Sequence, residues 1–333
     1  MLDVSRPVME LSLVQAVNLA MRRAMADDPR VLVLGEDVGA DGGVFRATEG
    51  LLALYGVDRV LDTPLAESAI AGVSIGLAAQ GFRPVAEIQF AGFAYPCIDQ
   101  LLNHASRLRA RTRSRLTCPL VLRSPAGGGI RAIEHHSESP EAIYAHIPGL
   151  KVVMPSSPAH AYGLLLSAIR DPDPVVFLEP TRLYRAAREA VADDGAGAPL
   201  ERCFLLRKGR DVTLVSWGAM IRETLEAASH LAGEDIEAEV IDVATLKPLD
   251  TATILESVAR TGRLVIVHEA PITCGYGAEI AARVAGGALT SLLAPVERVA
   301  GYDTMMPYAR TEAFYMPNVG RVTAAVRRAM AYT

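Results

Sequence analysis

Short β-branched runs alternate with longer segments of helical period along almost the whole chain, and that rhythm leaves few folds open. Runs at 31–35, 85–88, 120–123, 152–154 and 175–178 read as strands, and 13–26, 67–79, 98–109 and 159–169 as helices between them. Strands linked through helices pair in parallel, because a crossover must carry the chain back to the starting edge; a mostly parallel sheet with helices on both faces follows. Near 185–200 the pattern lapses into Ala, Gly, Asp and Pro, with Asp193-Asp194-Gly195 as a turn signal, so a linker is expected. Strands at 212–216, 238–242, 264–268 and 296–299, with helices around 221–231, 251–259 and 278–285, then form a second, smaller α/β unit. The expected domains are 1–195, linker included, and 196–333, a division that suits 333 residues.

Half of the residues are apolar and the net charge is −5, the balance of a packed α/β protein. Nothing in it recommends nucleic acid or an acidic membrane surface as a partner. No apolar stretch approaches the roughly 18 residues of a membrane span, and the amino terminus has neither a signal core nor a transit pattern. A cytoplasmic protein is expected. Cys97, Cys118, Cys203 and Cys274 lie far apart without paired spacing, which indicates neither a zinc site nor a disulfide framework.

Within the apolar run from Pro64 to Ala79, Glu67 is the only charge. It is either a first-turn glutamate favoured by the helix dipole or a carboxylate kept from cations, poised to trade a proton with a heteroaromatic ring. The loop Gly39-Ala40-Asp41-Gly42-Gly43 and the run Gly127-Gly128-Gly129 each follow a strand, where backbone can approach a ligand closely. The second run leads to Glu134-His135-His136-Ser137 and places two imidazoles at the mouth of a sheet. Adjacent loop histidines point different ways, so one functional and one structural residue are expected. Cys274-Gly275-Tyr276-Gly277 lacks the third glycine of a dinucleotide fingerprint, with Ile280 in its place, and helix packing is the better reading. The series Arg107, Arg109, Arg111, Arg113 and Arg115 reads as structural or interfacial more readily than as a phosphate site.

Several blocks, in order, resemble one family: GEDVGADGGVFRATEGL at 35–51, DRVLDTPLAESAIAG at 58–72, FRPVAEIQF at 82–90, GGGIRAIEHHSESPEA at 127–142 and PGLKVV at 148–153. The likeness continues through RDPDPVVFLEPTRLYR at 170–185, EVIDVATLKPLD at 239–250 and TGRLVIVHEAP at 261–271. The chain resembles the beta subunit of thiamine diphosphate-dependent 2-oxo acid dehydrogenases, which include pyruvate, branched-chain 2-oxo acid and acetoin enzymes.

That resemblance implies a pyrimidine-binding domain followed by a transketolase-type carboxy-terminal domain, assembled with an alpha subunit as an αβ heterotetramer. It implies that Glu67 hydrogen-bonds the cofactor's aminopyrimidine and promotes its imino tautomer, that Phe93 packs on that ring, and that Gln89 is a nearby polar contact. His136 corresponds to the histidine that assists reductive acylation of lipoyl-lysine on the dihydrolipoyl acyltransferase, whose subunit-binding domain is a further implied partner. Glu36 matches an acidic position that helps link paired active sites, while Pro96 stands where some members have another acid. Leu120, Ala168, Ile169, Asp171 and Asp173 match a structural potassium site built largely from carbonyl oxygens. Magnesium and diphosphate are left to the alpha subunit, because the chain has no Gly-Asp-Gly start with a downstream asparagine.

Two departures stand out: Arg113-Ser114 replaces a common Gly-Gly, and His160-Ala161-Tyr162 replaces the frequent Asp-Ala-Lys. The EHHSESPEA block and the loop without Gly-Gly favour a branched-chain 2-oxo acid as substrate, with pyruvate next and acetoin after it. A catalytically silent scaffold subunit is the alternative of another class, and retention of Glu67, Phe93 and His136 argues against it.

Overall fold

The computed structural model describes residues 8–332. Residues 1–7 of the expected first domain and Thr333 of the second lie outside the described residues. The larger sheet has seven strands, in spatial order Thr245–Lys247, Lys151–Val153, Val175–Pro180, Val121–Ala126, Arg83–Glu87, Val31–Gly35 and Val60–Asp62. All its pairings are parallel except that of Thr245–Lys247 with Lys151–Val153.

Successive side chains on a strand face opposite sides, and here the two sides feed different cores. Val31, Val33, Val121, Val175 and Phe177 pack with helices Leu13–Asp27 and Pro158–Arg170, whereas Leu34, Leu122, Val176 and Leu178 pack towards Glu67–Ala79 and Cys97–Asn103. The Leu13–Asp27 helix buries Leu13, Val14, Val17, Ala20, Met21, Ala24 and Met25, an apolar stripe at helical spacing. The second sheet runs Glu297–Gly301, Leu264–Pro271, Val212–Ser216, Ala238–Asp242 and Phe204–Arg207, with only the last strand antiparallel.

The expected strands and most expected helices form with small shifts at their ends. The 98–109 helix does not run through: Cys97–Asn103 gives way to a tight turn at Ala105–Arg107 and a short helix, Leu108–Arg111. The Ser106 hydroxyl donates to the Leu102 carbonyl at 2.9 Å, the back-bonding that bends helices. The 185–200 stretch is not wholly irregular, because Glu189–Ala192 pairs antiparallel with Val8–Leu11. Tyr162, which stands in place of the frequent lysine, donates to Asp193 at 2.9 Å and accepts from the Gly195 amide at 3.0 Å. A carboxy-terminal helix, Val319–Ala331, adds a stripe of Val322, Ala325 and Val326 to the second sheet's core. The two α/β units also share material. Thr245–Lys247 completes the first sheet from the second half of the chain, and one core runs from Leu122 and Leu178 to Trp217, Ile266 and Ile280.

In the middle of the larger sheet, Arg123 is fully buried between two carboxylates. Its Nε and Nη2 donate to the two oxygens of Glu179 at 2.7 Å each, its Nη1 donates to Glu87, and the Tyr184 hydroxyl donates to Glu179. Glu87 and Glu179 come from the strands on either side of Arg123, so the cluster ties three strands together. Breaking a buried pair leaves an uncompensated charge, and Arg123→Met should cost about 3–5 kcal/mol in urea unfolding. Adding Glu87→Gln and Glu179→Gln to that variant should restore much of the loss; no restoration would show that packing, not charge, is what Arg123 supplies.

Candidate active site

Parallel strands deliver their carboxyl ends to one edge, and the expected chemistry collects there. Glu36 and Asp37 follow Val31–Gly35, Glu67 begins the helix after Val60–Asp62, Gln89 and Phe90 follow Arg83–Glu87, and His136 lies on the loop after Val121–Ala126. Phe93 sits on the tight turn Ala91–Ala94, which packs against the Glu67–Ala79 helix. Two bonds fasten that helix start: Ser68 donates to the Pro96 carbonyl at 3.0 Å, and the Cys97 thiol donates to the Glu67 carbonyl at 3.2 Å. Pro96 therefore serves the site through its backbone.

Glu67 is the first residue of its helix, where its charge complements the dipole, and it is half-buried. Its neighbour Glu36 is more deeply buried, 7% exposed, and has one carboxylate oxygen without a hydrogen-bond partner. Burial, then the charges of Glu67 and Asp37, hold Glu36 above the usual carboxylate range. Gln89 donates to Asp37 at 3.3 Å. No cationic side chain pairs with Glu36 or Glu67 among the described residues. Such an arrangement fits a ligand that brings its own basic nitrogen and an aromatic face.

His136 is half-buried and its Nδ1 lies 2.9 Å from the Glu134 carbonyl. Its ring centroid is 5.0 Å from that of Phe93 and 4.3 Å from that of Phe90. His135 is exposed and takes a left-handed backbone (φ 64), so the adjacent histidines do separate. Phe90 is a site residue that the sequence reading passed over, since an aromatic ending a strand looks like ordinary core.

Both glycine loops come close to protein groups. Asp62 accepts from the Gly39 and Ala40 amides at 2.6 and 3.0 Å. In the second loop a side chain on Gly127 would meet the Glu269 carboxylate, one on Gly128 the Met306 terminus, and one on Gly129 the Arg182 stem. The run thus admits Glu269 and Met306 from the second unit and Arg182 from the first, and clamps the loop that carries His136. Glu141, farther along, accepts from the Trp217 indole at 3.3 Å, and Trp217 stacks on His268 with centroids 5.2 Å apart. His268 lies under Gly275 and Gly277, so those glycines serve helix packing, as expected.

At the corner matched to potassium, the oxygens already answer to side-chain cations. Arg83 donates to the Ile169 and Asp171 carbonyls at 2.9 and 3.2 Å, Lys151 pairs with Asp171 at 2.5 Å, and Arg109 pairs with Asp173 at 2.6 Å. The Leu120 and Ala168 carbonyls accept from the Val175 and Asp171 amides. Protein donors thus reach an oxygen at each of the five matched positions, and the potassium site stays an expectation of the resemblance. The structural reading of the arginine series holds for Arg109, while Arg113 and Ser114, in place of Gly-Gly, adopt the left-handed backbone that glycine favours (φ 53 and 62).

Comparisons with known proteins agree with this architecture. The family model Transketolase, pyrimidine binding domain matches residues 9–187, and Transketolase, C-terminal domain matches 202–322. A solved structure described as a split gene transketolase, inactive beta4 tetramer, superposes with a TM-score of 0.79 at 25% identity, covering 97% of this chain and 99% of that one. These define a transketolase-type chain of the thiamine diphosphate-dependent class. The Pyruvate dehydrogenase E1 component subunit beta of Bacillus subtilis (strain 168) is 46% identical over 97% of this chain and 99% of its own length. The 3-methyl-2-oxobutanoate dehydrogenase subunit beta of Mycobacterium tuberculosis (strain ATCC 25618 / H37Rv) is 48% identical over 98% and 94%. The chain belongs to the family of 2-oxo acid dehydrogenase E1 beta subunits.

The clamp behind His136 titrates. Burial pushes Glu141 up to about 7, and burial and then the Glu141 charge push Glu269 up to about 8. Both stand above the ordinary 4.5, so the stability tied to their protons is complete below that pH and is lost as pH rises through 7 and 8. Glu269→Gln cannot ionise, and its unfolding midpoint should fall less than the parent's between about pH 5 and about pH 9. Parallel curves for variant and parent would place the alkaline loss elsewhere.

Proposed function

We propose that this chain is the beta half of an enzyme that oxidatively decarboxylates a 2-oxo acid and passes the acyl group to lipoyl-lysine on an acyltransferase. The observation that carries the reading is the meeting of Glu67, Phe93 and His136 at one sheet edge, in a chain whose relatives are E1 beta subunits. Bound there, thiamine diphosphate supplies the nucleophilic carbon and the electron sink. Glu67, with no cation to neutralise it, holds a proton against the aminopyrimidine ring nitrogen. Phe93 gives that ring an aromatic face, and Gln89 adds a polar contact at its edge. His136 stands ready to give a proton to the sulfur that leaves when the lipoyl disulfide opens.

An alpha subunit is assigned the diphosphate and magnesium, since this chain lacks the Gly-Asp-Gly start and downstream asparagine that hold them in thiamine enzymes. The helix Glu67–Ala79 is apolar around most of its circumference, and Leu65 and Val73 at the same edge are 80% and 56% exposed. An unburied apolar face of that kind suits a subunit contact. The described helices include none long and apolar enough to cross a membrane. A branched-chain 2-oxo acid is the favoured substrate. Pyruvate is the second reading, supported by relatives of that name, including the Acholeplasma laidlawii beta subunit at 46% identity over 96% of this chain and 97% of its own length.

Assembled with its alpha partner, the enzyme should turn over 3-methyl-2-oxobutanoate with kcat/KM at least about tenfold above pyruvate, the discrimination an apolar pocket gives for added methyl groups. The reverse order would make it a pyruvate enzyme, and no turnover of either acid or of acetoin by a well-formed complex would leave the scaffold alternative. In the same assembly Glu67→Gln should keep the cofactor yet lose roughly a hundredfold or more in turnover, because an amide cannot exchange the proton. Hydrogen–deuterium exchange at the cofactor's thiazolium carbon reports that step directly, and exchange at the parent's rate would refute the role given to Glu67.

A further inference from the structure

We propose that Phe90, propped by Phe45, is a positioning residue for His136 and fixes which imidazole nitrogen faces the reaction. The inference rests on the role given to His136 above. A chain of edge-to-face rings runs outward from the buried ion cluster: Tyr184 to Phe45 at 5.2 Å, Phe45 to Phe90 at 5.3 Å, and Phe90 to Phe93 at 5.6 Å between centroids. It ends on the imidazole, which Phe90 meets at 4.3 Å and a tilt of 58°, and Phe93 at 5.0 Å and 80°. Tyr184 is fixed by its bond to Glu179 beside Arg123, so the prop is anchored in the middle of the sheet.

Backbone completes the hold. Gly92, in the turn that carries Phe93, lies so close to the His135 carbonyl that any Cβ would collide with it. The left-handed His135 then turns His136 inward. A carbonyl only accepts, so the 2.9 Å contact with Glu134 keeps the proton on Nδ1. Nε2 is left facing the reaction: it takes a proton from solvent, and the resulting imidazolium gives that proton to the lipoyl sulfur that leaves as thiolate, while Nδ1 keeps its own. Phe90 does not touch the reacting atoms in this account. Its ring blocks the rotation that would swap the two nitrogens.

The test uses the assembled, cofactor-loaded enzyme and two assays: acylation of a lipoyl domain, and reduction of an artificial electron acceptor that bypasses the lipoyl arm. Phe90→Leu should lower kcat for lipoyl acylation roughly ten- to a hundredfold, the usual consequence of a misplaced catalytic group, with KM for the lipoyl domain little changed. The loss in the bypass assay should be at least about tenfold smaller. Phe90→Tyr, which keeps the ring, should recover lipoyl acylation, and Gly92→Ala should reproduce the Phe90→Leu pattern. With nitrogen-labelled histidine, NMR should show the Nδ1-protonated tautomer of His136 in the parent and in Phe90→Tyr, and a mixture in Phe90→Leu. Parent-like acylation in Phe90→Leu, or equal losses in both assays, overturns the proposal. His136→Ala separates the two ideas: unchanged lipoyl acylation in that variant refutes the role of His136. The tautomer spectrum then still decides for Phe90, an unaltered spectrum in Phe90→Leu overturning its positioning role.

Discussion

A guanidinium held between two carboxylates at the centre of the seven-stranded sheet sets the terms for much that surrounds it. A lone buried charge is costly, so Arg123 must keep Glu87 and Glu179 on its two flanking strands, and Tyr184 must close the remaining acceptor. The cluster thereby ties three strands together and fixes a phenol from which the aromatic prop extends to His136. Stability and site geometry are coupled through the same side chains.

The loop that bears His136 is held between the two α/β units rather than displayed on one of them. Its glycines receive Glu269, Met306 and Arg182, and its downstream glutamate reaches Trp217. Thr245–Lys247 and the continuous core make the junction part of the protein's interior.

Strand positions were legible because strands buried on both faces need near-continuous runs rich in Val, Ile and Leu, and Val31–Gly35 and Val212–Ser216 carry that signal without help from distant residues. The site was legible in a different way. Glu67 stood out as a solitary charge and the histidine pair as chemistry at a strand end, but their roles came from the resemblance of ordered blocks. Phe90 gave no such signal, because only proximity to His136 distinguishes it from core. The glycine runs are a related case: sequence shows that something can approach the backbone, and only the fold shows that Glu269 and Asp62 are among the groups that do.

By itself the sequence determined two parallel α/β units, a carboxylate at the start of an apolar helix, and two imidazoles beyond a sheet strand. These follow from local periodicity and from residue chemistry that does not change with context. Tertiary structure alone decided that burial falls on Glu36 more than on Glu67, that Arg83, Lys151 and Arg109 bond oxygens of Ile169, Asp171 and Asp173, and that a strand from the second half completes the first sheet. Each depends on which groups meet across long stretches of chain. Such meetings follow from desolvation and ion pairing summed over the whole fold, and no window of sequence contains them.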